Sequence, residues 1–159
     1  MRIFFDTEFI EDGKTIQLIS IGAVKPNGDT FYAVSNEYDP ATASQWVVDN
    51  VLNHIPDTQL KMSKAEIAKA FKDWCGDNPE FWAYYADYDW VVLCQLFGTM
   101  MDLPEGWPMY CRDIKQLCDS IGNPQLPEQG EGEHCALNDA MWNMEAFDFC
   151  NALDTSDGA

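Results

Sequence analysis

The chain has 159 residues, with 27 acidic side chains against 9 basic ones and a formal charge of −18. Its length suggests one domain, and hydrophobic and aromatic contents of 47% and 13% exclude a disordered chain. The charge argues against a protein that coats nucleic acid with Lys and Arg, but not against a site whose field is reversed by bound cations.

Residues 2–8, 15–24 and 29–35 read as three successive strands. Gly13 and the cluster Pro26-Asn27-Gly28-Asp29 supply the turns. Links this tight favour an antiparallel meander. Asp39-Pro40 opens a helical stretch to about Leu52, with Pro at an early position. Ser63-Lys64-Ala65-Glu66 has the form of a capping box. The helix it starts places Ile67, Ala68, Phe71, Trp74 and Cys75 on one face. Residues 81–84 form a further strand, and Asp89 to about Phe97 a helix ended by Gly98. Residues 104–108 are a loop, 112–120 a helix, and 122–133 irregular. A long helix spans 135–153, which closes a single domain over 1–153 and leaves 154–159 as a frayed tail. Three strands, then alternating helices and strands, predict an α/β sandwich on a mixed sheet.

The N-terminus shows no leader pattern, and no stretch reaches the length of a membrane span. The six cysteines form no Cys-x-x-Cys pair, and two histidines are too few for a zinc cluster at these spacings. A soluble cytoplasmic protein with reduced thiols is the expectation.

The chemistry concentrates on acids. Asp6 and Glu8 lie two apart in the run Ile3-Phe4-Phe5-Asp6-Thr7-Glu8-Phe9-Ile10. Residues two apart on a strand point the same way, so both carboxylates project together from a core element. Like charges so placed call for a compensating cation; a solvated coincidence is the bland alternative. Asp87 fits a helix cap, whereas Asp89, one turn before Leu93, leans toward the core and is the better candidate. Asp139 shares a helix side with Ala136, Asn143 and Ala146, small residues that let the helix lie close to a sheet. His134 falls just before that helix, after the glycine-bearing loop 128–133.

Together these segments resemble the DEDD superfamily of 3′→5′ exonucleases, in the DEDDh subgroup that has His five residues before the last Asp. Asp6 and Glu8 match its first motif, Tyr88-Asp89 with Leu93 its second, and His134, Ala136 and Asp139 its third. The stretches Asp6 to Gly13 and Leu18 to Gly22 are similar to the small single-domain exoribonucleases of mycobacterial type. The resemblance implies an RNase-H-like fold and release of nucleoside 5′-monophosphates from a 3′ end. It also implies metal binding by Asp6, Glu8, Asp89 and Asp139 and proton transfer by His134. Four carboxylates suit two hard cations, Mg²⁺ or Mn²⁺, about 3.5–4 Å apart. In this scheme Asp6 serves both ions, Glu8 and Asp139 the one nearer the attacking water, and Asp89 the other.

Commoner relatives read Asp-x-Glu-Thr-Thr-Gly, and here Phe9 and Ile10 replace the Thr-Gly part. Thr7, Phe9 and Arg112 are the candidate substrate contacts. For Phe9 a core position is the alternative, for Arg112 an ordinary ion pair. Trp46, Tyr85 and Trp90 are read by default as core. RNA 3′ ends are the expected partner, with DNA as an alternative and a homodimer suggested by the resemblance. A non-catalytic acidic mimic of nucleic acid that binds a basic protein is the competing class.

Overall fold

Strand β1 (Arg2–Glu11) runs antiparallel to β2 (Ile16–Val24), and β2 antiparallel to β3 (Thr30–Ser35), so the expected meander is present. The computed structural model describes residues 1–156. After β3 the chain forms helix α1 (Gln45–Asn50), a two-residue strand β4 (Lys61–Met62), helix α2 (Lys64–Cys75) and strand β5 (Glu80–Ala83). Helix α3 (Asp87–Phe97), strand β6 (Arg112–Asp113) and helices α4 (Ile114–Ser120) and α5 (Ala136–Ser156) complete it. The sheet order is β4-β3-β2-β1-β5-β6, with β4, β5 and β6 parallel to their inner neighbours. β1 therefore lies near the middle of a mixed sheet.

Alternation along the strands feeds two cores. Ile3 and Phe5 of β1 face a layer built by α2 and α3, with Ile67, Phe71, Phe81, Leu93 and Trp107 around them. Phe4 and Val24 take the other face, against Ile114 of α4 and Ala146 and Phe147 of α5. A third cluster of Ile10, Ile19 and Val51 seats the α1 region over the end of the β1–β2 hairpin. The result is the expected α/β sandwich, a six-stranded mixed sheet flanked by helices in an RNase-H-like exonuclease fold.

The capping box is real: Ser63 Oγ accepts from Glu66 N, and the Glu66 carboxylate accepts from Ser63 N. Elsewhere the outlines shift. The helix expected over 40–52 is broken into a 3₁₀ turn at Pro40–Thr42, α1, and a second 3₁₀ turn at Leu52–His54. The break is at Ala43, which is extended, after which Ser44 caps a new start through Val47 N. Residues 112 and 113, expected to be helical, extend the sheet beside Trp82 and Ala83. Asp113 then caps α4 through Lys115 N. Residues 154–156, assigned to a tail, are the last turn of α5; the rest of that tail lies outside the described residues.

Candidate active site

The site forms where β1 loses a neighbour. β5 pairs with β1 only over Arg2, Ile3 and Phe4. Beyond that the chain leaves the sheet through Tyr84 and Tyr85, the latter in the left-handed region at φ 53°, and turns into α3. Side chains from two helices take over the vacated bonds. Thr7 N donates to Asp89 Oδ1 at 3.0 Å, and the Thr7 hydroxyl donates to the same oxygen. From α5, Asn143 Nδ2 donates to Phe5 O at 2.9 Å. Buried backbone groups need such partners, so the edge of β1 itself draws α3 and α5 toward Asp6 and Glu8.

Gly22 sets how close α5 can come. It pairs with Asp6 across the β1–β2 ladder, and a Cβ placed on it would lie 2.2 Å from Leu137 N and 2.3 Å from Ala136 C. Only hydrogen fits there. Ala136 and Ala140 are fully buried beneath the first turns of α5. Asp139 is thereby delivered to the face from which Asp6 and Glu8 project. Glycine inside a strand is a sequence signal for such a close approach, although the spacing alone does not say which backbone approaches.

All five expected residues of the cluster converge. Glu8, His134 and Asp139 each offer a ligand atom, all within 4.8 Å of one another. The carboxyl of Asp6 is held well above the usual carboxylate range, by burial first and then by the charges of Asp89, Glu8 and Asp139. Burial, then the neighbouring Asp139, pushes Glu8 up to about 8. Asp89 rises to about 6 through burial, against the two hydrogen bonds from Thr7 that favour its charged form. Asp139 is raised by burial, opposed by donors from Gln129 and His134. None of the ion pairs among the described residues involves any of the four acids. The cluster is thus a set of hard oxygen donors with no Lys or Arg to neutralise it, which fits a divalent cation.

His134 lies just before α5, as expected, with φ 66° and its ring half-exposed. Its N–H donates to Asp139 Oδ2 at 3.0 Å. The Gln129 amide donates to the other oxygen, Oδ1. Trp142 Nε1 and Asn138 Nδ2 bond Pro127 O and Gly132 O at 3.0 and 3.1 Å. The loop before α5 is therefore strapped to the helix that carries Asp139. Gln129 gave no sequence signal, because its role depends on how an irregular loop folds back.

The remaining candidates divide. Thr7 is buried and holds Asp89 rather than facing the open side. Phe9 is only partly buried and packs edge-on to Tyr88, with ring centroids 5.9 Å apart, beside the carboxylates. The ladder slips by one residue between Glu8 and Phe9, the extra residue being Ile19 on β2, so Phe9 stays on the Thr7 side of β1, toward α3. Arg112 is not brought to the cluster. It pairs with Glu80 at 3.7 Å and lies over the Trp82 and Tyr110 rings, two strands from β1. Asp87 does not cap α3; the Asp113 carboxylate accepts from Tyr85 N and Ala86 N instead. Trp90 belongs to the core as read, but Tyr85 and Trp46 do not, being 64% and 54% exposed. Trp46 instead meets the His134 ring at a centroid distance of 4.8 Å. It also lines a cleft of about 320 Å³ with Glu8, Phe9 and Ser44.

Residues 1–151 match the family described as the 3′-5′ exoribonuclease Rv2179c-like domain. Two curated relatives from Mycobacterium tuberculosis are each 41% identical over 160 residues, covering 97% of this chain and 95% of the relative. They are 3′-5′ exoribonuclease MT2234.1 of strain CDC 1551 / Oshkosh and 3′-5′ exoribonuclease Rv2179c of strain ATCC 25618 / H37Rv.

Proposed function

The chain belongs to the Rv2179c-like 3′-5′ exoribonuclease family, and from that premise we propose that it shortens RNA from the 3′ end by metal-dependent hydrolysis, releasing nucleoside 5′-monophosphates. The observation that carries this reading is the convergence of four carboxylates that no Lys or Arg among the described residues pairs with. As in the DEDDh exonucleases, Asp6, Glu8, Asp89 and Asp139 would hold two cations, Mg²⁺ or Mn²⁺. When bound, such a pair supplies a nucleophilic water and stabilises charge on the attacking and leaving oxygens.

The protein's own groups do the rest. Asp6, on which the charges of Asp89, Glu8 and Asp139 all act, would serve both cations. The bonds from Thr7 hold Asp89 in its rotamer, and those from Gln129 and His134 N hold Asp139. The His134 imidazole, next to Glu8 and Asp139, accepts the proton of the attacking water; imidazole is the side chain suited to this near neutral pH. Phe9 and Tyr88 form an aromatic ledge beside the carboxylates on which the terminal nucleoside stacks. Such stacking needs no basic surface, which suits a chain of charge −18.

A cytoplasmic setting is in keeping with six free thiols. No helix among the described residues is long and apolar enough to cross a membrane.

Asp6→Asn tests the reading. The variant should fold, release no mononucleotide, and lose the rise in melting temperature that Mn²⁺ gives the parent protein. Hydrolysis of RNA by Asp6→Asn at the parental rate would refute it.

A further inference from the structure

We propose that Trp46 is a positioning residue for His134, its indole holding the imidazole in the orientation from which it accepts the proton. The proposal rests on the reading of His134 as proton acceptor.

His134 needs such support. It follows a loop containing Gly130 and Gly132, and its own backbone sits at φ 66°, a sparsely populated region for a residue with a side chain. The bond from His134 N to Asp139 fixes the backbone but leaves both side-chain torsions free. Among the described residues the ring's one ion-pair contact is Glu133, its own neighbour, at 4.0 Å and itself exposed, while Glu8 and Asp139 lie within 4.8 Å without a hydrogen bond to the ring. Among the described residues, the ring contact of His134 is with Trp46, at 4.8 Å between centroids and 79° between planes. That is the edge-to-face arrangement aromatic pairs prefer.

Trp46 has the firmer mounting. It is the second residue of α1, whose start is capped by Ser44 through Val47 N at 3.3 Å. Its carbonyl accepts from Asn50 Nδ2 at 2.8 Å. Val47 and Val51 pack onto Ile10 and Ile19 of the hairpin. An indole left 54% exposed adds little to any core. What it touches is the one imidazole of the site, from an element anchored to the β1–β2 hairpin.

The test is a kinetic cycle on the metal-loaded enzyme, with nuclear magnetic resonance of the metal-free protein beside it. Trp46→Ala should lower kcat by about threefold to tenfold, the range such an aromatic pair is worth, with KM little changed. Trp46→Phe should recover most of that loss. In a His134→Ala background, Trp46→Ala should cost nothing further. In the metal-free protein, Trp46→Ala should shift the His134 ring-proton resonances, because the ring current that acts on them is gone. An unchanged kcat, a rise in KM alone, or an equal loss in both backgrounds would overturn the proposal; a rise in KM alone makes Trp46 a nucleotide contact. Full activity in His134→Ala overturns the proton-acceptor reading and this role with it, a result distinct from failure of Trp46→Ala alone.

Discussion

Asp139 shows how much of the site is decided one side chain at a time. Both of its oxygens are engaged by the loop that precedes it, through Gln129 and the His134 N–H. The proposed acceptor and a proposed cation ligand are therefore tied together, yet their roles separate. His134→Ala should keep the metal-induced rise in melting temperature and lose on the order of 10²–10⁴-fold in kcat; a melting curve and a turnover assay on one preparation check both. The acids make a second prediction. Burial raises Glu8 to about 8 and Asp89 to about 6, and raises Asp6 and Asp139 as well, with repulsion from neighbouring cluster acids adding at Asp6 and Glu8. A carboxyl whose native pKa exceeds its unfolded one binds more protons when folded. Its stabilising contribution is complete below the unfolded pKa near 4 and is lost as pH rises through the native value. In chelator, the stability these groups contribute should fall between about pH 4 and pH 8. Glu8→Gln should flatten that fall, and saturating Mn²⁺ should reverse it. Thermal melts across the range would show it, and identical profiles for parent and variant would contradict it.

Helix α5 and strand β2 meet across Gly22, and that contact is the element on which the site depends. Gly22→Ala places a methyl group 2.2 Å from Leu137 N. Overpacking of this kind costs typically 1–3 kcal/mol, and here it pushes Asp139 away from Asp6. Activity should fall well beyond what the lost stability explains. Ser63→Ala is the control: losing the α2 cap costs about 0.5–2 kcal/mol and should leave kcat of the folded enzyme unchanged. Denaturation curves paired with kcat distinguish the two. Elements with a strong internal period were legible in advance. The pairing of Asp6 with Glu8, the stripe Ala136–Asp139–Asn143–Ala146 and the capping box at Ser63 all follow from repeats of two or of about three and a half. Elements defined by partners were not. The two-residue strands β4 and β6 exist only as ladders to β3 and β5. The break at Ala43, the bulge after Glu8 and the reach of Gln129 to Asp139 depend on chain that is distant or irregular. Arg112 took the ion-pair alternative rather than the substrate role, but which of 27 acids would claim it was not legible, and Glu80 did.

At the scale of the whole molecule, a charge of −18 and a substrate that is a polyanion are reconciled by where the negative charge is gathered. The ion pairs of the described residues lie elsewhere, and the buried carboxylates are without a Lys or Arg partner, Asp89 and Asp139 being held by neutral donors. Such a surface repels the body of an RNA strand and leaves attraction to the cations proposed for the carboxylate cluster and the aromatic rings around it. This favours action at a strand end over grip along its length. It also explains why family membership and site geometry point the same way even though the net charge, taken alone, argued against nucleic acid. The most direct measurement is a time course on a single-stranded RNA labelled at its 5′ end, with an unlabelled DNA counterpart in parallel to ask whether the 2′-hydroxyl matters. With Mn²⁺ or Mg²⁺ the labelled RNA should shorten one nucleotide at a time from its 3′ end and 5′-monophosphates should accumulate, and chelator should stop both. An RNA left intact with either metal, or shortened equally in chelator, would contradict the account.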